Sequence, residues 1–185
     1  MTIDENDPLF RLLDTKYDLD REDEAVAILK DHPELACAQW TGPDEGGKPF
    51  IYGSTPLHYA ANDGKLRLMT QLIKCGADVD AYDAKWYATP LSWAANNAHL
   101  DAINLLLDKG ASIHGANAVH AAAFGGSSCG KNKSTQYVDV LRFLIERGAD
   151  MNNRVFRDNL TPLSLALESG NTAAIEFLES LGAEK

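Results

Sequence analysis

Apolar residues along this chain recur three and four positions apart in short bursts, and each burst stops at a glycine. Met69, Leu72 and Ile73 precede Gly76, and Ile103, Leu106 and Leu107 precede Gly110; later apolar stretches end at Gly148 and Gly182. That spacing places the apolar side chains on one face of an amphipathic helix, and the glycine supplies the left-handed residue that ends it. Ahead of these helices stands a second, shorter pattern. Thr55-Pro56-Leu57-His58-Tyr59-Ala60-Ala61 returns as Thr89-Pro90-Leu91-Ser92-Trp93-Ala94-Ala95 and as Thr161-Pro162-Leu163-Ser164-Leu165-Ala166-Leu167, with a weaker copy at Asn117-Ala118-Val119-His120-Ala121-Ala122-Ala123. Threonine at an N-cap accepts a hydrogen bond from an unsatisfied helix N–H, and proline at the first helical position forfeits none. Asn117 is expected to cap its own copy equally well. The paired alanines let the short helix lie close against its neighbours. An all-α chain of paired helices follows.

A more degenerate unit comes first. Asp7-Pro8 repeats the cap-then-proline grammar ahead of Leu9, Phe10, Leu12 and Leu13. Glu24 to Lys30, with Ala25, Val26, Ile28 and Leu29, predicts its second helix, which His32-Pro33-Glu34-Leu35 closes. At the other end, Ile73, Leu107 and Ile145 stand three residues before their glycines, where the last unit has Glu179. A charge at that position marks the outer face of a terminal unit. The chain therefore divides as one domain of five units. Residues 1–50 form an N-terminal cap unit with a long first connection. The central units are 51–84, 85–116 and 117–157, the third with an insertion near 125–135, and residues 158–185 form a C-terminal cap.

The T-P-L-H-x-A signature and a period of about 33 residues resemble the ankyrin-repeat family over nearly the whole chain. That resemblance implies an ankyrin-repeat solenoid of about five helix pairs, with β-hairpins or loops projecting as fingers. It implies that a partner docks along the finger tips and the concave face of the first helices. It also implies a structural use for the motif histidines, His58 and His120, in hydrogen bonds near the helix start. The units are not identical. Thr55 to Gly76, Thr89 to Gly110 and Thr161 to Gly182 each span 21 positions, whereas Asn117 to Gly148 spans 31. Gly76 to Thr89 and Gly148 to Thr161 span 13, against 7 for Gly110 to Asn117. The fourth unit has lost finger and gained an insertion between its helices, Gly-rich and flexible in composition.

Charge narrows the class of partner. The formal net charge is −10, and nucleic-acid binding needs a basic footprint instead. Nine acids and three bases fall between Met1 and Glu24, which suits a solvated end cap or a contact for a basic partner. Cys37, Cys75 and Cys129 form no close pair, as expected of reduced thiols. No apolar run approaches the roughly 18 residues of a membrane span, and the acidic N-terminus does not read as a signal peptide. A cytoplasmic, membrane-free chain, monomeric on its own, is the expectation.

Candidate chemistry is thin. Gly125 followed by Gly130-Lys131 falls short of a phosphate-binding loop, because Asn132 stands where the motif needs Ser or Thr and a helix precedes the segment. His114, His120 and Cys129 lack ligand spacing, so no metal is expected. The serines sit at turns or helix starts the repeat already explains, so no nucleophile has a base and an orienting acid beside it. No catalytic residue and no cofactor follow from the sequence.

Stacking does not account for the fingers. Trp40, Phe50, Tyr52, Tyr82, Trp86, Tyr87 and Phe156 all fall there, seven of the 15 aromatics. Such side chains either anchor a partner, where Trp, Tyr and Arg dominate, or pack back onto adjacent helices. The candidate partner-binding residues are Tyr52, Lys85, Trp86, Tyr87, Arg154, Phe156 and Arg157 on the fingers. Asn62, Asp63, Asn96 and Asn97 join them on the concave face, with Glu168 and Ser169 further along. Trp93, sharing a motif position with Tyr59, is expected in the core. The function so read is non-enzymatic binding of a protein partner, for which the acidic balance favours a basic one. The alternatives are an inhibitor or immunity-type protein that blocks a basic enzyme or toxin, and an enzyme or nucleotide-binding regulator using the Gly-rich insertion.

Overall fold

The computed structural model describes residues 2–3, 21–41, 52–114, 117–125, 134–154 and 159–185. The helix expected near Leu9 to Leu13, residues 42–51 of the long first connection with Phe50, the insertion after Gly125 with Cys129, and Phe156 and Arg157 lie outside them. The described helices are α1 (Glu22–Asp31), α2 (Pro56–Asn62), α3 (Leu66–Lys74), α4 (Pro90–Asn96), α5 (Leu100–Asp108), α6 (Ala118–Phe124), α7 (Ser134–Glu146), α8 (Pro162–Ser169) and α9 (Thr172–Ser180). A 3-10 turn, Pro33–Cys37, follows α1, and the two-residue strands β1 (Thr2–Ile3) and β2 (Gln39–Trp40) pair in parallel.

The short helices α2, α4, α6 and α8 stack in series, and each packs on the longer helix that follows it. Their alanines make this possible: Ala60, Ala61, Ala94, Ala95, Ala122, Ala123 and Ala166 are all buried. A larger side chain there would hold the helices apart and open voids that protein interiors do not tolerate. Leu57, Leu91, Val119 and Leu163 fill one row of the core from the short helices, and Leu72, Leu106, Leu144 and Leu178 answer from the long ones. Ile73, Leu107 and Ile145 pack partly buried against this core, whereas Glu179 is exposed and pairs with Lys185 at 3.6 Å.

The same stop ends every long helix after the first. Gly76, Gly110, Gly148 and Gly182 have φ between 78° and 97°. The next amide reaches back five residues, as Ala77 N–H does to Leu72 O at 3.0 Å and Ala111 N–H to Leu106 O at 3.0 Å. Only glycine takes that backbone without strain. At the helix starts, Thr89 Oγ1 accepts Ser92 N–H at 3.3 Å and Thr161 Oγ1 accepts Ser164 N–H at 3.1 Å. Asn117 departs from expectation. It stands at the N-cap of α6 but makes no side-chain cap bond, because its ψ of 35° leaves the extended geometry that aims a cap at the helix amides. α6 is held instead by His120 and by the alanine packing.

The acidic stretch is spent within the chain where it is described. Glu22 Oε1 accepts Leu68 N–H at 2.8 Å at the start of α3, Asp23 pairs with Arg67 at 2.6 Å, and Glu24 pairs with Arg21 at 2.7 Å. At the far end, buried Asn171 caps α9 and donates to Ala123 O and Gly125 O at 3.1 and 2.6 Å. It ties the last pair to the helix before the insertion.

Candidate partner-binding surface

The fingers are built from the residues between each glycine stop and the next short helix. Trp40 N–H donates to Ser54 O and Gly53 N–H to Trp40 O, both at 2.8 Å, so the first finger closes as a hairpin at its base. Tyr52 O then accepts Ala84 N–H at 2.9 Å, joining the first finger to the second. The approach needs glycine. A Cβ on Gly53, whose φ is 79°, would stand 2.9 Å from Ala84 N.

The second finger, residues 77–88, turns around Asp83, which the repeat motif does not single out. Its side chain is buried, and Oδ1 accepts both the Lys85 and the Trp86 N–H. An aspartate binding its own backbone two and three residues on is a common turn builder, and Asp83-Ala84-Lys85 between two repeat motifs was the available signal. Asp83 N–H donates to Ala88 O at 3.0 Å, which shuts the loop. Between them Tyr87 has φ 48°, the left-handed region that bulky side chains avoid.

This scaffold displays rings. Tyr52, Tyr82, Trp86 and Tyr87 are 51%, 48%, 57% and 52% exposed. Lys85 Nζ lies 5.5 Å from the centre of the Trp86 ring, a cation–π distance. Trp40 does not belong with these residues. It is 1% exposed and sits in the core, its backbone paired with Ser54 and Gly53. Trp93 meets its expectation. It packs partly buried, edge-on to His58 and Tyr59 with ring centres 5.2 Å away, and its indole N–H donates to Asp83 Oδ2 at 3.0 Å.

Beside the fingers, the concave residues are brought together. Asn97 Nδ2 donates to Asn62 Oδ1 at 2.7 Å and to Trp93 O at 3.1 Å, and Asn62 Nδ2 donates to Asp63 Oδ1 at 3.0 Å. Asp63 also pairs with Lys65 at 3.3 Å. Asn96 is exposed at the edge of this ladder. Glu168 and Ser169 lie two helices further along, and Ser169 Oγ donates to Ala166 O. Phe124, 47% exposed, holds the position that Asn62 and Asn96 hold in their units. Aligning the repeats would have found it.

Arg154 lies apart from the aromatic cluster. Its guanidinium donates to the main-chain oxygens of Asn159 and Lys185 at 3.2 and 3.1 Å and stands 3.9 Å from Glu184. It fastens the last finger to the end of the chain.

Both motif histidines do structural work. Thr55 N–H donates to His58 Nδ1 at 3.0 Å, so that nitrogen carries the lone pair. Nε2–H then donates to Ala88 O at 3.0 Å, across to the next unit. Burial lowers the His58 pKa from 6.5 to about 4, against the opposing pull of the Ala88 bond and the Asp83 charge. His120 bonds Leu160 O through Nε2 at 3.1 Å, and burial lowers its pKa too. His99 is half-buried and lines an open cleft of about 300 Å³ with Leu66, Leu100, Gln136 and Asp139. Among the described residues no three His, Cys, Asp or Glu side chains converge as a metal set, and no helix is long and apolar enough to cross a membrane.

Known proteins match along this same periodicity. A family model described as ankyrin repeats (3 copies) matches residues 25–117 and 57–154, and one described as ankyrin repeats (many copies) matches residues 134–179. An ankyrin repeat protein of Fowlpox virus (strain NVSL) is 42% identical over 48 residues, 25% of this chain and 14% of that protein. The match thus spans a small part of the relative's length. Ankyrin repeats generally serve as protein–protein interaction modules. With signature, period, paired helices and family models in agreement, this chain belongs to the ankyrin-repeat family.

Proposed function

We propose that the chain is a non-enzymatic module that binds a protein partner across its first two fingers and the adjoining concave face. One observation carries this reading: four large aromatic side chains, each about half exposed, stand on two fingers hydrogen-bonded to each other. Exposed rings on rigid loops supply large contact area at small entropic cost, and they dominate binding hot spots. Tyr87 adds support, since a strained backbone persists only where its surroundings impose it. In this reading Tyr52, Lys85, Trp86 and Tyr87 form the anchor. Asn62, Asp63, Asn96 and Asn97 supply polar complementarity, and the five-unit division stands as the scaffold. Arg154 belongs to the margin at most, given how it is engaged. The net charge of −10 favours a basic partner.

The test compares capture from native extract by the wild-type chain and by Trp86→Ala and Tyr87→Ala variants. Each substitution should weaken a specific complex by at least about 1–2 kcal/mol and leave the melting temperature nearly in place. A complex indifferent to both would move the interface elsewhere.

A further inference from the structure

We infer that Asp83 is the positioning residue of this surface, coupling the aromatic finger to the concave helix through Trp93. The inference builds on the reading of the fingers as the interface. It concerns how the rings are held and not whether they touch a partner.

Asp83 is a buried carboxylate facing three N–H groups. Oδ1 takes the Lys85 and Trp86 amides, and Oδ2 takes the Trp93 indole. Removing an ionised carboxylate from water is costly unless such donors replace the lost hydration. The two oxygens face different parts of the molecule. One closes the loop that carries Trp86 and Tyr87; the other reaches α4, where Trp93 is wedged against His58 and Tyr59. The loop is also tied at its exit, where Ala88 O accepts both Asp83 N–H and His58 Nε2–H. A left-handed Tyr87 fits this arrangement, since several bonds hold the loop in a shape its sequence would not choose. Trp93 lies next to the Asn62–Asn97 ladder through its carbonyl, which accepts from Asn97. A displacement of Trp93 by anything seated on the concave face would therefore reach the finger through one carboxylate. Holding Trp86 and Tyr87 in place beforehand lowers the ordering cost of binding.

Two variants of the full chain test this without a partner. Trp93→Phe keeps a ring against His58 and Tyr59 but removes the donor to Oδ2. Asp83→Asn keeps the shape but sets an amide N–H₂ against N–H donors. Hydrogen exchange by NMR is followed at the Lys85 and Trp86 amides, with Leu106 and Leu141 as core references and the indole N–H signals as local reporters. Exchange at Lys85 and Trp86 should rise about tenfold or more in both variants, with Leu106 and Leu141 unchanged. The Trp86 indole signal should shift toward a solvent-averaged position. Exchange at Lys85 and Trp86 that stays at wild-type rates in Trp93→Phe would overturn the coupling. Equal acceleration at Leu106 and Leu141 would also overturn it, by making Asp83 and Trp93 ordinary contributors to global stability. The Trp86→Ala affinity decides the interface reading separately, so either idea can fail alone.

Discussion

Lowering the pH should destabilise this chain through His58, and the structure sets both the sign and the size. Nδ1 accepts Thr55 N–H while Nε2–H donates to Ala88 O, so only the neutral ring with its proton on Nε2 satisfies both partners. Protonating Nδ1 would set N–H against N–H within a side chain that is 0% exposed. Burial accordingly brings the pKa from 6.5 down to about 4. Between those values the unfolded chain binds a proton that the folded chain refuses. Stability then rises with pH across that window and is lost as pH falls through it. At about 1.36 kcal/mol per pKa unit, the shift corresponds to about 3 kcal/mol. That is a large share of the roughly 5–15 kcal/mol that holds a typical domain together.

The assay is urea unfolding of the wild-type chain and His58→Gln at pH 7.5 and pH 4.5. Glutamine removes the titrating group and should cost about 1–3 kcal/mol at neutral pH, because it leaves buried polar partners unmatched. The wild-type chain should then lose about 2–3 kcal/mol more than the variant on acidification, so the two curves converge at low pH. His120 moves in the same direction in both proteins and cancels in the comparison. Parallel pH profiles would refute the reasoning. They would mean that His58 takes up a proton as readily in the folded chain as in the unfolded one.

Three further outcomes are expected. Leu106→Ala should destabilise by about 2–5 kcal/mol in chemical denaturation, because it opens a cavity at a fully buried site in α5. Gly53→Ala should cost about 1–3 kcal/mol, since a Cβ would press on the Ala84 backbone at a φ of 79°; slowed rather than faster exchange at the Ala84 amide would contradict it. Tyr87→Gly should raise stability by up to about 1 kcal/mol, as relief of the left-handed strain slightly outweighs glycine's extra unfolded-state freedom. The same variant should bind the partner less well, and a gain in both stability and affinity would remove the case for Tyr87 as an anchor.

The stack was legible because each of its rules is local. A threonine cap, a proline behind it, paired alanines and a glycine at the far end each act within a few residues, and the repetition made them unambiguous. Asn117 shows the limit of that reading. Its residue type suits a cap, but capping also needs an extended backbone, and Asn117 has ψ 35° instead. Trp40 fails for another reason. Its backbone pairs with Ser54 across a long loop, and no composition rule separates a ring buried at the base of such a loop from one displayed at its tip.

The finger surface was half legible, and the missing half is made of bonds between fingers and helices far apart in sequence. Trp86 and Tyr87 could be picked out as unexplained rings, but what holds them could not. Ala84 meets Tyr52, His58 meets Ala88, and Asn97 meets Asn62, each pair separated by 30 or more residues. Each bond joins one finger or short helix to the next, so it exists only once the stack has set their spacing. A repeat solenoid thereby divides its sequence into two kinds of position. The repeated positions are answerable to stacking and can be read from one unit alone. The positions that break the repeat are held by neighbours in the adjacent unit, and here they are Asp83, Tyr87 and Trp93. A strained tyrosine kept in the left-handed region, on a loop pinned by a buried carboxylate, is more order than stacking needs. Mere connection would be served as well by a glycine and a solvated turn. The extra order is what a surface requires if it is to meet a partner with its aromatic side chains already in place.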